Sequence, residues 1–205
     1  MKKISWIIMM LLACAVALYG WALVFIPEVV NNSAMQHHFT ERPVPMYLHF
    51  TFGPLALAIG GLQFLGAFRA RKPAIHRWIG RIYVASCLLS GVGGLFLALG
   101  TDQGGVAMAG FLGLAIAWIV TTSFGYADAR ARRFDTHREW MIRSFALTLA
   151  AVTLRIYLPL FLGGFGMAFS EAYPIIAFLC WVPNLIVAEV VIARKRRPGA
   201  LQPAA

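Results

Sequence analysis

Charge is what this chain has least of. Only 13% of its 205 residues are Asp, Glu, Lys or Arg, against 60% hydrophobic, where a soluble domain is about a quarter charged. That shortage excludes an ordinary soluble domain and makes the chain a membrane protein. Acidic residues are scarcer still, 8 against 18 lysines and arginines, for a formal net charge of +10. On a soluble protein such an excess would suggest nucleic acid. Here the bases sit at the ends of apolar runs, and no basic groove with interleaved exposed aromatics remains, so nucleic acid is not an expected partner. The three cysteines, Cys14, Cys87 and Cys180, lie far apart inside apolar runs. Without a CxxC or CxxCH spacing they offer no disulfide framework, redox pair or haem attachment, and read as small hydrophobes. The chain also lacks a nucleophile motif, a phosphate loop and paired carboxylates, which disfavours a hydrolase or a kinase.

What is present is a repeat. Arg-Ala-Arg-Lys-Pro-Ala-Ile-His-Arg at Arg69–Arg77 is echoed by Arg-Ala-Arg-Arg-Phe-Asp-Thr-His-Arg at Arg130–Arg138, each followed by a Trp and an Arg (Trp78 and Arg81; Trp140 and Arg143). The unit is an apolar helix, a basic turn with His-Arg, and another apolar helix. Runs long enough to cross a bilayer, which takes about 20 helical residues, fall at about 4–26, 46–68, 78–100, 106–127, 140–162 and 173–193, and residues 198–205 read as a short disordered tail. The start, Met1-Lys2-Lys3 and a run ending Leu11-Leu12-Ala13-Cys14, resembles a lipoprotein signal. The apolar stretch continues through Trp21 and Phe25, however, where a cleaved lipoprotein would turn polar.

The fold class this predicts is all-α, a six-span helical bundle in one domain. Small or polar residues recur at helical spacing along the second span (His49, Gly53, Ala56, Gly60, Gln63 and Ala67), the third (Gly80, Cys87, Gly91 and Gly94) and the fourth (Gly110, Gly113, Ala117, Thr121 and Gly125). Close packing in lipid requires such faces, so spans two to five are expected to form a four-helix core, with one and six outside. All lysines and arginines except Arg42 and Arg155 lie at one end of this arrangement. By the positive-inside rule that end is cytoplasmic, with both termini, in a bacterial inner membrane.

Ionisable groups within or bordering the spans are the first candidates for function. His76 and His137 open the third and fifth spans at equal depth. In an up-down bundle these spans are diagonal, so the two imidazoles could hold one b-type haem iron, with Arg77, Arg81, Arg138 and Arg143 placed for the propionates. The alternative reading is interfacial, with His-Arg-Trp meeting lipid headgroups and Trp in the aromatic belt. At the opposite end His37, His38 and His49 with Glu41 read as loop histidines or, less readily, as a metal group. Arg155 within the fifth span is the costliest residue, at about 2.5–3.5 kcal/mol on insertion scales. Two readings stay open for it: a pairing with Glu171 or Asp102, or an anionic ligand or quinone headgroup in a cavity with His49 and Gln63. Pro159 frees the carbonyl of Arg155, which the guanidinium could partly satisfy. Glu189, among basic neighbours, is expected to form an ion pair.

Two resemblances bear on this. Leu62-Gln63-Phe64 followed by Lys-Pro-Ala-Ile-His-Arg-Trp-Ile-Gly at Lys72–Gly80 resembles the cytochrome b-561 group of transmembrane electron carriers, six-helix proteins whose central helices hold two haems between histidines. His49 would match a second of that group's ligands. Span four has no histidine, so the resemblance implies one haem here at most. The chain is closer to a bacterial membrane family known only as domain of unknown function 2306. That likeness rests on His49-Phe50-x-Phe52-Gly53, His76-Arg77-x-x-Gly80-Arg81-x-Tyr83, His137-Arg138-x-Trp140-Met141-x-Arg143 and Ala150–Arg155, over roughly residues 45–195. It implies six helices and no established activity. The leading expectation is therefore a small membrane redox protein, in contact with membrane lipids and exchanging electrons with a quinone or a membrane redox partner. The competing one is a non-catalytic scaffold, assembly factor or small-molecule carrier.

Overall fold

The structure, a computed structural model, describes residues 3–31 and 36–196. The tail expected at 198–205 lies outside the described residues. Among the described residues six helices are long and apolar enough to cross a membrane: α1 (Ile4–Phe25), α2 (Pro43–Phe64), α3 (Pro73–Leu99), α4 (Gly104–Arg130), α5 (Phe134–Gly164) and α6 (Phe169–Arg196). Large apolar side chains such as Ile8, Leu18, Phe96, Val120 and Val187 face outward, as they do where the solvent is lipid. Helices α2 to α5 form the core in the order α2–α3–α4–α5, with α5 returning to α2. Helix α1 packs on α2 and the later part of α5, and α6 packs on α4 and α5.

Span boundaries differ from the sequence expectation where backbone chemistry intervenes. Helix α2 ends at Phe64, because its last turn tightens to a 3-10 helix (Gly61–Phe64) and Leu65 is extended, with φ −76° and ψ 103°. Arg69 and Arg71 then lie on a separate short helix, Gly66–Arg71. Pro73 opens α3, a position where its missing N–H costs nothing. The second basic turn shrinks to three residues. Arg132 takes the left-handed conformation, φ 60°, the Arg133 amide reaches the Asp128 carbonyl at 2.9 Å, and the Arg133 guanidinium pairs with the Asp128 carboxylate.

Small residues let the helices close, both on the expected faces, as at Gly53 against Ser90, and beside them. A Cβ on Gly93 would stand 2.6 Å from the Pro45 carbonyl and 2.9 Å from the His49 nitrogen, so α2 and α3 touch backbone to backbone there. The last two spans are each broken. Helix α5 turns at Leu149 and, beyond Pro159, ends in a π-helical turn, Leu160–Gly164, where the Phe165 amide reaches the Leu160 carbonyl at 3.0 Å. Helix α6 breaks at Cys180–Trp181 before Pro183. Asn184 braces that break, its two N–H protons shared among Cys180 O (3.1 Å), Ala146 O (3.3 Å) and Thr153 Oγ1 (2.9 Å).

Candidate functional site

The two halves of the bundle differ inside. Toward the basic end the centre is closed. Tyr83 of α3 is 1% exposed, and its hydroxyl lies 3.0 Å from Ser144 Oγ and 2.9 Å from Thr148 Oγ1, both on the diagonal helix α5. Thr148 gives its single hydroxyl proton to the Ser144 carbonyl at 2.9 Å, so it accepts from Tyr83 and from Trp118 Nε1 at 3.0 Å. Tyr83 must then accept from Ser144, which accepts from Thr122 at 2.7 Å. Every hydroxyl proton is accounted for in one direction. Phe145 and Met141 pack against the same cluster.

Toward the far end α2 and the later part of α5 stand apart, and the gap is a cavity of about 720 Å³ walled by all six spans. His49 and Arg155 both line it and lie within electrostatic reach of each other. His49 donates from Nδ1 to the Ser90 carbonyl at 3.0 Å, while Ser90 Oγ donates to the His49 carbonyl at 3.1 Å. The ring is thereby locked, and Nε2 is the atom it has left for a ligand. Arg155 does not turn to the carbonyl that Pro159 frees. Its Nη1 donates one turn back, to Ala151 O at 3.0 Å, its guanidinium lies 5.2 Å from the centre of the Tyr19 ring, and its Nε is buried with no hydrogen-bond partner. Among the described residues Arg155 has no carboxylate partner. Glu171 instead accepts from the Ala168 amide at 3.3 Å, and Asp102 accepts from Gln103 Nε2 at 2.7 Å.

Gln63, expected beside His49, lies fourteen residues further along α2, about 21 Å at a helical rise, against Gly80 at the basic end. It does not line the cavity. His76 and His137 occupy the same position, the fourth residue, of α3 and α5 and lie within electrostatic reach of each other. His137 donates from Nδ1 to Gly125 O at 2.7 Å, while His76 Nδ1 is buried with no partner. Paired imidazoles are the donor type that holds a b-type haem iron from both sides. Of the arginines of the same turns, Arg77 lies within electrostatic reach of His76, and Arg77, Arg81 and Arg138 are exposed. Arg81 lies 5.1 Å from the Trp78 ring and Arg143 4.7 Å from the Trp140 ring. Arg143 is also committed to Glu189, at 2.5 and 2.9 Å, which is the ion pair expected for that glutamate. Of the outer histidines, His38 lines the cavity, and the His37 side chain lies outside the described residues. Among the described residues no three His, Cys, Asp or Glu side chains form a metal group.

Sequence reasoning missed Ser90, Tyr19, Tyr173 and Trp118 as cavity residues, and Tyr83 as the centre of the closed half. The available signal was isolated polar groups in apolar spans, Ser90 and Ser144 above all. Residues 46–192 match a family model described as a predicted membrane protein, DUF2306. No curated protein matches the chain, and no solved structure does.

Proposed function

The chain belongs to the DUF2306 family of membrane proteins, and from that premise we propose that it binds or carries a small lipophilic molecule inside its bundle. The observation that supports this is the cavity of about 720 Å³, which falls in the range of about 300–1,000 Å³ usual for small-molecule sites. Its walls are chiefly apolar, and its few polar groups are fixed in place, His49 by Ser90 and Arg155 by Ala151. The location that goes with this reading is a bacterial inner membrane. The basic end and both termini are then cytoplasmic, as the distribution of lysine and arginine favours, and the cavity lies in the periplasmic half. Native mass spectrometry of the protein released from lipid nanodiscs tests the reading. The unmodified chain is expected to retain a small molecule that is lost when Ala115→Phe and Ala151→Leu fill the space, with helicity unchanged. Retention of the same mass by the filled variant, or no retention by either, would reject it.

A second reading keeps one b-type haem between His76 and His137. It is favoured by the bond from His137 Nδ1 to Gly125 O, which leaves Nε2 for a metal and fixes the ring as an orienting carbonyl does in metal sites. A haem there would supply one-electron transfer, and a quinone or membrane redox partner would exchange the electron. A reduced-minus-oxidised spectrum with sharp alpha and Soret bands, lost in His76→Ala and His137→Ala, supports this reading. A colourless preparation made with full haem supply removes it.

A further inference from the structure

We infer that the cavity's occupant is an amphiphile carrying one carboxylate, its acid group on Arg155 and its apolar body pointing inward toward Trp118. The inference rests on the binding reading above and specifies its ligand class. The starting point is a charge that no described residue balances. A guanidinium has five N–H donors. At Arg155 one nitrogen serves the Ala151 carbonyl, Nε is buried without a partner, and no described carboxylate reaches the group. A desolvated cation held this way is unfavourable until a counter-charge arrives, and a carboxylate matches the guanidinium fork with paired hydrogen bonds.

Its neighbours narrow the class. Because His49 uses its Nδ1 proton on Ser90 O, the neutral ring presents Nε2 as an acceptor. An acceptor repels a second anionic oxygen but tolerates a hydroxyl or an apolar group, so a singly charged head suits the site better than a phosphate dianion or a dicarboxylate. Among the described residues Tyr19 and Tyr173 are the other polar side chains in electrostatic reach of Arg155. Neither of them adds positive charge that would call for a second anion.

The inward part of the cavity determines the rest of the molecule. From Arg155 to Thr148 is seven residues of α5, about 10 Å, and over that depth the walls include Leu57, Ala115, Trp118 and Leu147. The two polar groups on this floor are already satisfied. Trp118 Nε1 donates to Thr148, and Thr148 donates to the Ser144 carbonyl. Nothing there asks for a polar partner, so the inner end takes hydrocarbon. Residues at the helix ends far from the basic turns, Thr101 and Phe169, complete the lining and mark the side from which the acid group is reached.

Trp118 is a built-in reporter. The protein in phosphatidylcholine nanodiscs is titrated with ω-bromodecanoate or ω-bromodecanol, compared at equal membrane concentration, and the quenching absent from Trp118→Phe is taken as the signal. The acid is expected to saturate that signal at a concentration at least tenfold below the alcohol. Arg155→Gln is expected to remove the preference, and Arg155→Lys to restore part of it. If acid and alcohol quench alike in the native chain, or the preference survives Arg155→Gln, the carboxylate inference fails while the binding reading stands. If neither compound quenches Trp118 saturably, both fail.

Discussion

One bundle contains two differently built interiors. In the half toward the basic turns, polar side chains are central and fully spent. Tyr83, Ser144, Thr148, Thr122 and Trp118 use one another, and the space among them is filled. In the other half His49 and Arg155 are half-buried and only partly spent, and they border empty volume. The contrast separates two uses of polarity in a membrane. A closed network fixes how helices meet, at a modest gain per bond, whereas an unclosed one holds an interaction in reserve for something outside the chain. The helix break at Leu149 and the parting of α2 from the later part of α5 coincide with the change from one regime to the other.

Substitutions on either side of that boundary should therefore act with opposite sign. The largest effect is expected from Tyr83→Ala, which opens a void in the closed half and strands its hydroxyl partners. It should lower stability by about 3–5 kcal/mol, read from reversible unfolding in mixed micelles followed by circular dichroism. Arg155→Leu in ligand-free protein should raise stability by about 2 kcal/mol, since it removes an uncompensated cation from the hollow half. A loss of that size instead would mean that Arg155 has a structural partner and that the two halves are alike. Tyr83→Phe keeps the ring and deletes one link, and a loss of about 1 kcal/mol is expected in the same titration. The smallest change belongs to neither half. Glu189→Gln weakens the pair with Arg143, whose glutamate side chain is 49% exposed, and should cost about 0.5 kcal/mol.

The sequence made the spans legible because their length and apolarity are set by the bilayer, and six helices of that kind are found. It made the four-helix core legible because small residues recur where helices must approach, as at Gly53 against Ser90 and Gly125 against Met141. It failed at Gln63. Sharing a face with His49 says nothing about depth, and the fourteen residues between them, about 21 Å of helix, put Gln63 at the basic end beside Gly80. His49 and Arg155 stood out as candidates because a polar group in a span is costly wherever it points. That they share a cavity depends on how far α2 and α5 separate, a tertiary quantity no periodicity records. Tyr83 went unseen for a related reason. A tyrosine in an apolar span gives no sign of which helix its hydroxyl will meet, and only the diagonal approach of α3 and α5 brings that of Tyr83 to Ser144 and Thr148.

The fixed sense of donation in the closed half makes its two ends unequal. Thr122 begins the sequence of handed-on protons, so Thr122→Val merely leaves a lone pair on Ser144 vacant. Thr148 receives from both Tyr83 and Trp118, so Thr148→Val deprives two buried donors at once. Two threonine-to-valine exchanges of identical size and chemistry thus carry different penalties, ordered by nothing more than which way each hydroxyl points.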